Sequence, residues 1–416
     1  MIIKELSNEQ FDKFISDSNY NSIYQSSSYA KVMQKNGYQS MLIGLVDNAN
    51  TIIAASLLLI ENRQGFKYAI APHGFIVDFS NQELVKIFTN KLKDYLKAKN
   101  IIALKINPKI IRNQYDSDKN IIYHNEKFDY TINLLKKLGF YHFGYNSFFE
   151  AIKPRFEVNL KLDKNYYSLF KNIRKSFRTK IRNADKNAII IHRGTINNIK
   201  DLYFHTKRKY PRNEKFLTDI YEEFNKSNNV SIYYAKVDTN HYLLNAQKEY
   251  AIQEDICENL DQEVLNNSKQ NLKLISKKII ADNLLNERKN KLKTATNMLK
   301  NYPDGIIIAS IIVITQGKNV TLFMDGYNKK YKQFNAKHLL LWKVIERYAK
   351  LSYENINLGG IISIFEESDK YKGLNEFKLN FNPTITEYIG DFEIICNQPL
   401  YFMYRNSNSL KKIIKK

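Results

Sequence analysis

The chain has 416 residues, enough for two domains that each bury a real core. Its two cysteines, Cys257 and Cys396, lie far apart and outside any CxxC pattern, which excludes a disulfide framework and a zinc ribbon. A formal net charge of +22 points to an anionic partner such as RNA, a phospholipid surface or a phosphorylated substrate, although an AT-rich genome would also favour the abundant Lys, Asn and Ile.

A first α/β unit is expected over residues 1–150. The start, Met1-Ile2-Ile3-Lys4-Glu5-Leu6, has no long apolar run, and no segment is long and apolar enough to span a bilayer, so the expectation is a cytoplasmic protein. Helix signals fall at Asn8–Ser16 and Ser26–Lys35. Strands at Met41–Val46 and Thr51–Ile60 make a hairpin through the Asx-rich turn Asp47-Asn48-Ala49-Asn50, with a further strand near Phe66–Ala71. Asn81–Lys99 reads as an amphipathic helix with Leu84, Ile87, Phe88, Leu92 and Leu96 on one side. A buried strand, Ile101–Ile106, is closed by Asn107-Pro108, and a helix near Thr131–Leu138 ends at Gly139.

The second unit is expected over 151–239 and 303–416. It reads as strand Phe156–Leu160, helix Tyr166–Ala184, and strands Ile189–Arg193 and Ser231–Val237. After a long excursion it resumes with strand Ile306–Ile314, helix Asn335–Leu351, and strands Asn355–Leu358 and Ile385–Ile389. The Lys-rich tail from Ser407 is expected to fray.

The two units look duplicated. Ile52-Ile53-Ala54-Ala55-Ser56-Leu57-Leu58-Leu59-Ile60 returns as Ile306-Ile307-Ile308-Ala309-Ser310-Ile311-Ile312-Val313-Ile314. The register then holds without a gap, with Asn81 opposite Asn335 and Leu104 opposite Leu358. In the second copy the hairpin turn is replaced by residues 240–302. This piece has no Gly or Pro from Thr239 to Tyr302 and is stopped by Pro303-Asp304-Gly305. Apolar residues recur at Ile252, Ile256, Leu260 and Val264, then at Leu272, Ile275 and Ile279. Acidic residues fill the first half and basic residues the second, which suits an antiparallel helical hairpin turning near Asn266-Asn267-Ser268.

The sharpest basic cluster lies in Phe170–Ala184. Lys171, Lys175, Arg178 and Arg182 share a face, with Arg174 beside them. Like charges at i,i+4 destabilise a helix unless a partner neutralises them, so the face reads as phosphate-binding or as a solvated surface. Lys207-Arg208-Lys209-Tyr210-Pro211-Arg212 makes a second, weaker case. There is no phosphate loop and no GxSxG, the histidines do not fall at metal-ligand spacings, and His73 sits in a Pro-His-Gly turn. No cofactor or metal is expected. An enzyme of this kind would work by positioning two substrates and stabilising charge.

Four segments together resemble the Fem family of peptidoglycan interpeptide-bridge aminoacyltransferases. Tyr24-Gln25-Ser26-Ser27-Ser28-Tyr29 is similar to that family's early Gln-Ser/Thr-x-x-Trp segment. Tyr68-Ala69-Ile70-Ala71-Pro72-His73-Gly74-Phe75 resembles its Tyr-Ala-Pro-Arg-Gly-Pro turn, with an insertion and with His73 in place of Arg. Phe177-Arg178-Thr179-Lys180-Ile181-Arg182-Asn183-Ala184 resembles its Arg-x-x-Ile-Arg-x-Ala helix, and Gly373-Leu374-Asn375-Glu376-Phe377-Lys378 its Gly-Leu-x-x-Phe-Lys. The resemblance implies two acetyltransferase-like α/β domains with a helical-hairpin arm inserted in the second. It also implies transfer of an aminoacyl group from aminoacyl-tRNA to an amine of a lipid II-type or UDP-linked muramyl peptide, with peripheral contact to an anionic membrane surface. Oligomeric state stays open. In this picture Lys378 stabilises the oxyanion and Phe377 shapes the site. Arg212 matches an Arg that holds the precursor's phosphates, and Phe216 stands where a Tyr is usual. Lys31 and Lys35 flank Met33, which occupies a family Lys position. Asn107 stands where Asp is common. With Arg178, Arg182 and Tyr327, these complete the candidate substrate-binding set. An acyl-CoA-dependent acyltransferase of the same fold and a non-catalytic tRNA- or membrane-binding relative are the alternatives.

Overall fold

The computed structural model describes residues 1–18, 22–145, 152–208, 212–266, 271–362 and 369–414; for 369–372, 374 and 407–414 it describes the backbone only. The chain opens with β1 (Ile2–Glu5), α1 (Asn8–Ser16) and α2 (Ser27–Lys35), followed by the hairpin β2 (Gln39–Val46) and β3 (Ile52–Arg63). Both helices start where side chains cap them. The Ser7 hydroxyl accepts from the Gln10 N–H while the Gln10 side chain accepts from the Ser7 N–H, and the Ser26 hydroxyl accepts from the Tyr29 N–H. Next come β4 (Phe66–Ala71), α3 (Gln82–Ala98), β5 (Ile101–Ile106), β6 (Ile111–Tyr115), β7 (Ile121–His124), α4 (Phe128–Lys137) and β8 (Phe140–His142).

The second half runs β9 (Phe156–Lys161), α5 (Tyr166–Asn172), α6 (Lys175–Lys186), β10 (Ile189–Arg193), α7 (Ile199–Thr206), α8 (Glu214–Asn225) and β11 (Val230–Val237). The arm helices α9 (Thr239–Asn266) and α10 (Leu272–Asn301) precede β12 (Ile306–Gln316), β13 (Asn319–Tyr327) and α11 (Ala336–Lys350). The chain ends with β14 (Asn355–Ile361), α12 (Asp369–Leu379), β15 (Thr384–Tyr388), β16 (Phe392–Ile395) and α13 (Gln398–Ile414).

The duplication is structural. Strands β2 to β5 pair antiparallel, antiparallel, then parallel, and β11 to β14 repeat that sequence. The offset between Ile52 and Ile306 is also the offset between Gln82 and Ala336 and between Ile101 and Asn355. The repeated string is apolar without alternation because both faces of its strand are covered. Ala54, Leu58 and Ile60 of β3 face the first unit's own core, and Ile311 and Val313 of β12 face the second's. Leu57 and Leu59 meet Ile312 and Ile314 in a third core, which α1, α2 and α8 close with Phe11, Val32 and Phe216. This third core joins the two units.

The sheets exchange strands across the expected boundary between residues 150 and 151, which themselves lie outside the described residues. The first sheet runs β1-β2-β3-β4-β5-β16-β8 and the second β10-β11-β12-β13-β14-β9-β15-β6-β7. Glu387 of β15 ties the exchange together. It is 1% exposed and accepts from Arg155, Arg112 (3.0 Å), Asn113 (2.9 Å) and Tyr115 (2.8 Å).

Two expectations need correction. The single helix over Tyr166–Ala184 is broken, because Ile173 and Arg174 are extended between α5 and α6. The Arg174 N–H donates to the Asn380 carbonyl (3.0 Å) and its guanidinium to Asp118 (2.7 Å), tertiary bonds that replace the helical ones. The tail expected to fray from Ser407 is helical to Ile414. The arm is a helical hairpin whose opposite charges meet, Asp261 with Lys278 at 2.7 Å and Glu249 with Arg288 (3.0 Å) and Lys291 (2.9 Å). Of the expected turn, Asn267 and Ser268 lie outside the described residues. Among the described residues no helix is long and apolar enough to cross a membrane.

Candidate active site

A cavity of about 1510 Å³ opens where the two units meet. Its lining includes Thr321 and Asn357, where the parallel pairing of β13 with β14 ends. The first unit contributes Ser22, Tyr24, His73 and Lys109. His73 and Tyr327 occupy equivalent positions in the two copies, and both line the cavity.

At one end α12 directs Lys378 inward. The side chain is 8% exposed, and its ammonium donates to the Gly360 carbonyl at 2.7 Å. Gly359 permits this approach: its φ is +83°, and a Cβ there would sit 3.3 Å from the Lys378 Nζ. Phe377 is half-buried, edge-on to Phe177 (5.4 Å) and His338 (5.2 Å), with the Lys337 ammonium 4.0 Å over its ring. Lys337 is itself ion-paired with buried Asp325. A buried ammonium is suited to an oxygen that gains negative charge during reaction.

At the other end the resemblance segments knit to one another. Gln25, fully buried, donates to the carbonyls of Pro72 (2.8 Å) and Leu57 (3.3 Å) and accepts from the Leu57 N–H (2.7 Å). His73 has a φ of +59°. Its Nδ1 meets the Ser22 hydroxyl at 2.8 Å, and its backbone N–H donates to the Asn107 Oδ1 at 2.8 Å. Asn107 therefore supports the turn from behind, where an amide oxygen serves as well as a carboxylate. Burial, then the charges of Lys109 and Lys153, hold His73 neutral, well below the ordinary histidine range.

Lys153 was not visible in the sequence, since no pattern surrounds it. Its ammonium lies 3.4 Å from the Tyr24 ring centre and 5.5 Å from that of Tyr29. Burial and the nearby Arg212 push its pKa down to about 7, with Glu157 opposing. Arg212 lies 4.1 Å over the ring of buried Phe216.

Among the described residues, Lys378, Phe377 and Tyr327 line the cavity, as do Arg208, Lys207, Lys329, Lys330 and Lys332 near its mouth. The lining does not include Lys31, Lys35, Asn107, Arg178, Arg182, Arg212 or Phe216. Lys35 is paired with Glu223 (2.8 Å) and Glu222 (3.2 Å). Arg178 donates to the Lys171 carbonyl (2.6 Å), and Arg182 lies over Phe170 (5.6 Å). Helix α6 reaches the site through Phe177, its apolar face. No group of His, Cys, Asp and Glu among the described residues could hold a metal ion.

The model of the FemAB family matches residues 6–409. The chain belongs to the FemAB family. Aminoacyltransferase FemA of Staphylococcus epidermidis is 25% identical over 434 residues, spanning 99% of this chain and 100% of the relative. Aminoacyltransferase FemA of Staphylococcus aureus (strain bovine RF122) is 24% identical over 435 residues, spanning 99% of each. A crystal structure of FemX shares the fold, with a TM-score of 0.74 at 20% identity over 97% of this chain and 99% of that one. The protein is thus an aminoacyltransferase of the FemAB family, as the four segments implied.

Proposed function

We propose that this FemAB-family enzyme moves an aminoacyl group from aminoacyl-tRNA to an amine of a lipid II-type or UDP-linked muramyl peptide. The observation that carries the reading is the Lys378 ammonium, buried in the cavity and oriented by the Gly360 carbonyl. The amine attacks the ester carbonyl carbon, and Lys378 stabilises the oxygen as it becomes an oxyanion. No protein nucleophile is required, because the donor ester is already activated and both substrates are held in one groove.

The charge around the cavity supports two anionic substrates. Lys207, Arg208, Lys329, Lys330 and Lys332 suit the phosphates at the 3′ end of an RNA. Arg212 and Lys153, beside the tyrosines of the first unit, suit the phosphates of the acceptor. Lys153 would then supply a cation that Met33 of α2 does not.

A panel of charged tRNAs carrying labelled amino acids, offered with lipid II and with its nucleotide-linked precursor, tests the reading. Mass spectrometry of the product is expected to show one added aminoacyl group, abolished by RNase treatment. Lys378→Ala is expected to lower the transfer rate by about 10²-fold or more. Undiminished transfer by that variant, or transfer that survives RNase, would count against it.

A further inference from the structure

An amine that attacks an ester must give up a proton, and Lys378 contributes charge rather than a base. The carboxylates of the cavity are engaged elsewhere. Asp325 pairs with Lys337, and Glu157 accepts from Asn357 (2.9 Å) and Tyr388 (3.1 Å) and lies 3.5 Å from Lys109. Asn107 is an amide, and His73 has its Nδ1 on Ser22 and its Nε2 shut away from solvent.

His338 is different. It sits in the first turn of α11, where the first copy has Leu84 at the equivalent position. Its half-buried ring lines the cavity, 4.5 Å from Phe177 and 5.2 Å from Phe377, the neighbour of Lys378. Nδ1 is closed off from solvent, so Nε2 lies on the open edge. No hydrogen bond from a described residue occupies that nitrogen. Burial, then the charges of Lys180 on α6 and Lys337 on α11, push the ring's pKa down to about 4, while the Asn335 backbone opposes this. The imidazole is therefore a neutral lone-pair acceptor at physiological pH.

We propose that His338 Nε2 takes the proton from the attacking amine, an inference that rests on reading the cavity as the aminoacyl-transfer site. The neutral amine nitrogen bonds to the ester carbonyl carbon, and the carbonyl electron pair moves onto oxygen beside Lys378. The amine proton passes to Nε2. The oxyanion then reforms the carbonyl and breaks the bond to the ribose oxygen, which receives the proton from Nε2. The anionic oxygen formed in the same pocket raises the ring's basicity at the moment the proton moves. Nε2 thus acts first as base and then as acid, and is restored at the end.

The test uses the full chain in single-turnover transfer from charged tRNA, comparing wild type, His338→Gln, His338→Ala and Lys378→Ala with and without added imidazole. Both His338 variants are expected to lose about 10²-fold or more. Imidazole is expected to restore His338→Ala and not Lys378→Ala, a rescue that a merely structural role would not show. His338→Gln at the wild-type rate, or a loss in His338→Ala that imidazole leaves unchanged, overturns the proposal. Absence of transfer by the wild type from every charged tRNA sinks the broader reading instead, and is seen before any variant is compared. Nitrogen-15 NMR of the His338 ring needs no substrate: a neutral ring with its proton on Nδ1 is expected at pH 7. An imidazolium, or a proton on Nε2, overturns the assignment.

Discussion

Lys153 shows how one side chain can couple binding to pH. Its ammonium is favoured below about pH 7 and its neutral amine above, because burial and Arg212 both disfavour the charge. The acceptor's KM is therefore expected to rise between pH 6 and 8 in steady-state assays, and Lys153→Met is expected to abolish that slope. The stability effect has the opposite sense. The folded pKa lies below the unfolded one, so the cost of burying the charge is complete below about pH 7. It fades as pH rises toward the ordinary lysine range. Neither Lys153 nor His338 belongs to a recognisable motif. For His338 a signal did exist: the second copy places polar Lys337 and His338 where the first has Glu83 and apolar Leu84, and a departure from a repeat marks a position with a separate task.

Among the elements, α6 and the arm illustrate what periodicity can and cannot convey. The basic stripe of Phe170–Ala184 was legible, but the break at Arg174 was not, because its cause is a bond to Asn380 more than two hundred residues away. That break also separates Lys171 from Lys175, which relieves a like-charge pair. The arm's base belongs to the second unit's core through Tyr242, Ala246, Ala295 and Met298. Its distal half leaves Ile252, Ile256, Leu265, Leu272 and Ile279 exposed and makes little of that core. Replacing residues 253–285 by a short Gly/Ser loop is therefore expected to leave the melting temperature of the remainder nearly unchanged, whereas Ala295→Asp is expected to lower it sharply. Thermal denaturation followed by circular dichroism measures both.

At the scale of the whole molecule, the exchange of strands decides how the halves depend on each other. The first sheet is incomplete without β16, which joins β5 to β8, and the second needs β6 and β7 through β15. A fragment of residues 1–150 would expose the edge of β5 and leave the Phe392 and Ile394 places in its core empty. It is expected to remain unfolded or aggregate, as judged by the dispersion of its amide NMR spectrum. Coexpression with 151–416 is expected to restore a soluble complex.

Contiguous residues carried the elements, the duplication and the helical insertion, because each depends on spacing within a short window of chain: period two or 3.6, a cap, a turn, a repeated string with both faces apolar. Of the four resemblance segments, three place residues in the cavity lining (Tyr24, His73, and Phe377 with Lys378), whereas no residue of Phe177–Ala184 lines it. Only the tertiary structure decided that β16 completes the first sheet, that Lys378 rests on Gly360, that Asn107 supports His73, that Lys153 lies against Tyr24, and that His338 and Lys378 line one cavity. These are contacts between residues far apart in the chain, fixed by how the covered faces of two sheets pack around a common core, and no local pattern specifies them.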